Sequence, residues 1–412
     1  MRAGTHGLTT DARLVIAGQG IRAAGYGFTA VLLGAMLAAR GYGPVAVGLM
    51  LTALIAGTAL ASLAVGVLAD RVGRRRCYAV FFGGLAVAGL VVASAAPLWV
   101  LLIVAITGTL STDVVDNGPA TTLEQAMLAA EDAGTAAVYG RYNMVGSAAG
   151  ALGALAVTLP GFDHGGNAGP SAWLFAVLVP VGVIGGVIAT RLSPAVEAPP
   201  TTPSRGRAWP RTARSSAVVR KMAGLFAIDA GAGGLVTTGF LSYYFSERYH
   251  VPLAALGWLF FAVSVVQAIS MAVAPVLARR FGLVATMVGT HLPSNVLLAS
   301  VAFAPTFPVA AVLLLARTTL SQMDIPARQA LVMTVVAPEE RTAAAAVTNA
   351  ARYTVRPIGP LLAGLAQQIA LGAPLVVAGA VKAGYDAALW LWARGLRENQ
   401  SVAANPAAQA KL

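Results

Sequence analysis

Ionised side chains stand inside long apolar runs of this chain. Each asks for a reason, because a charge at the centre of a bilayer-spanning helix costs about 2.5–3.5 kcal/mol or more. Arg22 lies in Gly20-Ile21-Arg22-Ala23-Ala24-Gly25-Tyr26-Gly27, and Asp229 lies in Ile228-Asp229-Ala230. A base and an acid at such places, with Tyr26 one turn beyond Arg22, can line a cavity and bind a solute. They can equally hold each other as a permanent ion pair. Asp113 and Asp116 are three residues apart and share a helix face. Two carboxylates crowded in a low dielectric repel, which makes such a pair a candidate proton carrier. Pairing with arginines of neighbouring helices is the alternative. Arg317, Asp324, Pro326 and Arg328 share one run. Asp324 is a further proton-coupling candidate, yet its spacing to Arg328 favours a local ion pair, and Pro326 should kink the helix. Arg317 has no acid nearby in sequence and is the better cavity residue. Lys382 and Asp386 are spaced to pair along their helix, and His291 reads as a hydrogen-bonded structural residue. The chain offers no metal-ligand cluster, no phosphate-cradling loop and no nucleophile with a spaced base. No metal, no cofactor and no enzymatic activity are expected.

These residues must be positioned by elements that cross a membrane. Of the 412 residues 57% are hydrophobic and 11% are charged, against about a quarter charged in a soluble domain. Twelve apolar runs are long enough to span, over about 13–38, 44–69, 77–96, 98–122, 136–160, 170–191, 220–246, 253–278, 283–304, 307–335, 342–370 and 373–393. The expected fold is therefore all-α and polytopic. Loop arginines such as Arg71, Arg76, Arg191, Arg279 and Arg341 fall on one side, while Arg40 and Arg248 fall on the other. That asymmetry places both termini in the cytoplasm of a multi-pass cell-membrane protein. The net charge of +12 is carried by these loops, which suits anionic lipid head groups better than nucleic acid. Cys77 is the single cysteine, so no intrachain disulfide can form. The first apolar run is too long for the core of a signal peptide.

Residues 192–219, rich in Pro, Thr, Ser and Arg, form a flexible cytoplasmic linker. The linker divides the chain into halves at 1–191 and 220–394, with a tail at 395–412. The halves repeat. Ile21-Arg22-Ala23 answers Ile228-Asp229-Ala230, Gly73 answers Gly282, Thr109-Leu110-Ser111 answers Thr319-Leu320-Ser321, and Arg141-Tyr142 answers Arg352-Tyr353. The offset stays nearly constant and the order is kept, as in two parallel six-helix repeats.

Between the second and third runs lies Gly66-Val67-Leu68-Ala69-Asp70-Arg71-Val72-Gly73-Arg74-Arg75-Arg76. Gly66 would let helix ends approach, and Gly73 would permit a tight turn. The pattern G-x-L-A-D-R-x-G-R-R resembles the signature loop between transmembrane helices 2 and 3 of major facilitator superfamily transporters. The resemblance implies twelve transmembrane helices in two pseudo-symmetric six-helix halves, working as a monomer by alternating access. It also implies that Asp70 latches the opposite half near helix 11, with Arg71, Arg74, Arg141 and Arg352 as gate residues. In the second copy of the loop Arg279 stands where Asp70 would be, so only the first half should make the acid-dependent latch. Drug exporters of the superfamily carry an arginine early in helix 4 and a Gly-Pro motif in helix 5. Residues 103–109 have no arginine, and Gly359-Pro360 falls in helix 11 instead. The expectation is proton-coupled efflux of a small anionic or drug-like solute. The alternatives are a proton-coupled importer of a sugar or organic acid, and a sensor or scaffold that does not transport.

Overall fold

A computed structural model describes residues 8–112, 118–128, 135–159, 172–197, 216–336 and 340–404, and no strand occurs among them. The helices are α1 Thr10–Ala39, α2 Pro44–Val72, α3 Arg74–Ala93, α4 Leu98–Ile106, α5 Pro119–Leu128, α6 Thr135–Ala156, α7 Leu178–Arg191 and α8 Ser216–Gly234. They continue with α9 Thr238–Tyr249, α10 Leu253–Phe281, α11 Leu283–Val301, α12 Phe307–Ser321, α13 Asp324–Val335, α14 Arg341–Val355, α15 Ile358–Gln367 and α16 Ala373–Ala404. Eight helical stretches are long and apolar enough to cross a membrane. The twelve-span fold is completed by α4 with α5, by α6, by α12 with α13, and by α14 with α15.

Four spans that read as continuous in sequence are broken. The span containing α4 ends in a turn where Gly108 has φ +73°, and Pro119 opens α5. Thr237 starts α9 by accepting a hydrogen bond from the Phe240 amide at 3.2 Å. Pro357, which cannot donate, separates α14 from α15. The kink expected at Pro326 lies earlier, at Gln322–Met323. Pro326 itself falls in the first turn of α13, where a missing amide proton costs nothing.

The contacts group the chain into two compact units. The first comprises Met1–Gly206, Leu235–Val265 and Pro357–Leu371. Within it α1 packs on α6 and α9, α2 on α4 and α15, and α3 on α7. Lipid tails are as apolar as leucine, so close packing of small residues replaces the hydrophobic effect as the cohesive force. A Cβ at Gly153 would strike the Ala24 carbonyl oxygen, and one at Gly27 would strike that of Gly150. The glycines of α6 thus fit α1 backbone to backbone. Gly364 of α15 likewise sits where a Cβ would lie 2.5 Å from the Pro44 carbonyl oxygen. The close approach expected at Gly66 is absent, since a Cβ there would meet nothing.

The second unit comprises Arg207–Gly234, Val266–Arg356 and Gly372–Leu412. Here α11 packs on α16, α12 and α13, while α8 packs on α14 and α16. Its apolar core joins Met222 and Phe226 of α8, Met287 of α11, Leu331 of α13 and Leu389 of α16.

The tight turn expected at Gly73 is present, with φ +104°, and Gly282 repeats it with φ +89° between α10 and α11. A side chain is strained in either conformation.

Candidate functional site

Each unit encloses one cluster of buried ionised side chains. In the first, Arg22 of α1 is 1% exposed and Glu124 of α5 is 0% exposed. The Arg22 guanidinium donates from Nη2 to Glu124 Oε2 at 2.8 Å, to Thr121 Oγ1 at 3.1 Å, and to Gln19 Oε1. Tyr78 of α3 donates to Glu124 Oε1 at 2.7 Å, and Tyr142 of α6 donates to Oε2 at 2.6 Å. The carboxylate therefore collects one cation and two phenols from three other helices. Buried charges are tolerated only when paired and hydrogen-bonded in this way. Tyr26 donates to the Thr109 carbonyl at 2.7 Å, and the Arg22 guanidinium carbon lies 5.4 Å from its ring centroid. That separation allows a cation–π contact.

The second cluster is larger. Asp229 of α8 accepts from Lys382 of α16 at 2.5 Å on Oδ1 and from Arg328 of α13 at 3.3 Å on Oδ2. Arg328 also donates to Asp324 at 3.1 Å, the local pair that the spacing predicts. Asp386 of α16 contacts His291 Nδ1 at 2.9 Å and accepts from Asn295 Nδ2 at 2.8 Å, both on α11. His291 Nε2 stands 3.9 Å from Asp229 Oδ1. The pairing expected of Lys382 with Asp386 does not form. Lys382 reaches across to Asp229 instead, because a carboxylate on a facing helix completes its burial better than one a turn away. His291 is hydrogen-bonded as expected, but inside this ionised cluster.

Arg22 and Asp229 are thus not each other's partners. Each is neutralised within its own unit, and the repeat is charge-inverted. The first half pairs a base on α1 with an acid on α5, and the second pairs an acid on α8 with a base on α13. Among the described residues Arg317 of α12 has no ion pair, and its buried Nε has no hydrogen-bond partner. It lies in the field of Asp229 and Asp324. Arg352 of α14 also has a buried Nε without a partner.

The signature loop is held from an unexpected direction. Glu197 accepts from the Arg74 amide at 2.6 Å and the Arg75 amide at 3.3 Å, which caps α3. The Arg74 side chain donates to the carbonyls of Ala126 at 3.0 Å and Val196 at 3.3 Å. Just before Glu197, the Ser193 amide donates to Asp11 at 2.9 Å. Arg71 and Arg141 are exposed. Asp70 occupies the last turn of α2, and its side chain, like Asp113 and Asp116, lies outside the described residues.

Sequence reasoning missed Glu124, Gln19, Thr121, Tyr78 and Tyr142 as one site, and His291, Asn295, Lys382 and Asp386 as another. One signal was available. Opposite charges at the matched positions 22 and 229 require partners of opposite sign on the matched helices, and Glu124 and Arg328 supply them.

The profile of the Major Facilitator Superfamily matches residues 15–360. YJR124C, an uncharacterized membrane protein of Saccharomyces cerevisiae, is 26% identical over 391 residues, which cover 86% of this chain and 87% of that protein. Among solved structures, the nucleoside transporter NupG superposes with a TM-score of 0.70 at 14% identity, over 92% of this chain and 97% of its own. A D-xylose–proton symporter gives 0.62 at 15% identity, over 92% and 97%. A bacterial homologue of the human lysosomal transporter Spinster gives 0.69 at 14%, over 93% and 96%. At these identities the structural likeness is one of fold.

Proposed function

The chain belongs to the major facilitator superfamily, and from that premise we propose that it is a secondary active transporter exporting a small anionic organic solute in exchange for protons. The observation that carries this reading is the charge inventory of the second unit. Among the described residues Lys382 and Arg328 pair directly with the buried Asp229 and Asp324, Arg317 stands in the field of the same two acids, and the buried Asp386 pairs with His291. The imidazole of His291 is thus the member of the set that can take up a proton, beside a carboxylate with no permanent cation of its own. Arg317, half-buried and without an ion pair among the described residues, is the ligand assigned to the anionic group of the solute. Arg22, matched by Glu124, contributes no net charge and serves the first half as a polar anchor beside Tyr26. Asp113, Asp116 and Asp324 remain proton-coupling candidates, and Asp70 with Arg352 the candidates for a latch. In this reading the protein is a monomer in the cell membrane with both termini in the cytoplasm, and residues 1–191 and 220–394 are the halves that alternate.

The test uses everted membrane vesicles with an inside-acid gradient read by a pH dye. A panel of organic anions, cations and neutral compounds is added. Collapse of the gradient by anions, only when this protein is present, is the expected result. Collapse by no compound overturns proton antiport. Solute-driven alkalinisation outside right-side-out vesicles marks symport and reverses the direction.

A further inference from the structure

We infer that the coupling proton binds at His291 Nε2, between Asp386 and Asp229, and that its arrival moves Asp229 from a partner on α16 to a partner on α11. This rests on the proton-coupled reading above and names the atom that reading leaves open. His291 Nδ1 lies 2.9 and 3.1 Å from the two oxygens of Asp386. A carboxylate only accepts, so the neutral ring keeps its proton on Nδ1 and donates it there. Nε2 is left as the nitrogen with a free lone pair. Its nearest acid is Asp229 Oδ1, 3.9 Å away, and the same oxygen holds the Lys382 ammonium at 2.5 Å.

Asp386, Lys382 and Tyr385 face the histidine from α16, Asp324 and Arg328 stand on α13, Arg317 on α12, and Asp229 on α8 with Arg352 of α14 behind it. Asn295 on α11 itself donates to Asp386 and fixes that carboxylate against the ring. When a proton from water adds to Nε2, no other covalent bond changes and the cluster gains one positive charge. The new N–H bonds Asp229 Oδ1 and competes with Lys382 for that oxygen. Lys382 then has Asp386 one turn along its own helix as an alternative acceptor. Loss of the proton to water on the other side reverses the exchange. Proton occupancy thus decides whether α8 is tied to α16 or to α11. The site needs three helices, so no single run of sequence displays it.

The experiment requires no solute. Full-length protein is purified in detergent, placed in weak buffer and shifted from pH 8 to pH 6 while a dye counts the protons taken up per molecule. His291→Gln is expected to take up one proton fewer than the natural chain; His6, His164 and His250 contribute equally to both. Equal uptake overturns the site. Should His291→Gln fail to fold, Asp386→Asn, which keeps an acceptor opposite Nδ1, is used, and it must also lower the uptake. In the everted vesicles His291→Gln is expected to lose solute-driven proton flux at least tenfold. Flux that survives with unchanged uptake overturns the site and leaves the antiport reading standing. A His291-dependent uptake in protein that no solute drives supports the site and overturns the transport reading.

Discussion

Arg22 and Glu124 are the most completely buried ion pair in the first unit, and removing one partner strands the other. Arg22→Gln or Glu124→Gln is expected to destabilise the protein by about 3–5 kcal/mol. The double substitution should recover much of that loss, because neither uncompensated charge remains. A double-mutant cycle on thermal unfolding in detergent checks this, and strictly additive losses would show that the two side chains do not act as a unit. Arg317 sits at the opposite extreme, with a buried Nε and no ion pair among the described residues. Its conversion to Gln removes no structural partner, so the fold should persist. Affinity for an anionic solute should fall about tenfold or more, as expected for one lost charge-assisted hydrogen bond. Unchanged affinity in a binding titration would remove Arg317 from the site.

Among elements, the turns and close helix contacts make the sharpest claims. Gly73→Ala and Gly282→Ala place a Cβ at φ +104° and +89°, a strain of about 1–3 kcal/mol each. Melting temperatures of the two variants should drop together, since the repeat uses the same turn twice. Glu197→Ala removes the acceptor that caps α3 and should cost about 0.5–2 kcal/mol. Ser193 would still hold the same segment to Asp11. Gly27→Val or Gly153→Val would drive α1 and α6 apart, whereas a Cβ at Gly186 meets nothing. Folded yield measured by size-exclusion chromatography should fall for the first two and hold for Gly186→Val. The broken spans follow from local chemistry too. Thr237 caps a new helix, and Pro357 and Pro119 cannot extend an old one.

At the scale of the molecule, a charge-inverted repeat lets each half satisfy its own buried ions. The repeat needs no permanent ion pair between Arg22 and Asp229, which suits the alternating halves of the proposed transport cycle. Such a cycle also requires a fixed orientation, and loop arginines predict cytoplasmic termini. A fluorescent protein fused after Leu412 should be bright, and an alkaline phosphatase fused there should be inactive. The reverse pattern would invert the topology and with it the meaning of every vesicle experiment.

The membrane class, the twelve spans, the repeat, the glycine turns and the superfamily were all legible in the amino-acid sequence. Each of these rests on composition, on run length or on the backbone demands of single residues, which neighbours in the chain are enough to set. The local pair of Asp324 with Arg328 was legible for the same reason. That Arg22 meets Glu124, that Lys382 pairs with Asp229 and not Asp386, and that His291 lies between two carboxylates became visible in the folded chain. Those partners lie between 62 and 153 residues apart on facing helices. Pairing one turn apart on an exposed helix surface is worth only about 0.2–0.5 kcal/mol, whereas a buried ion left without a partner costs several. Helix rotation and packing therefore chose the partners, and neither is written in the spacing of charges along one helix.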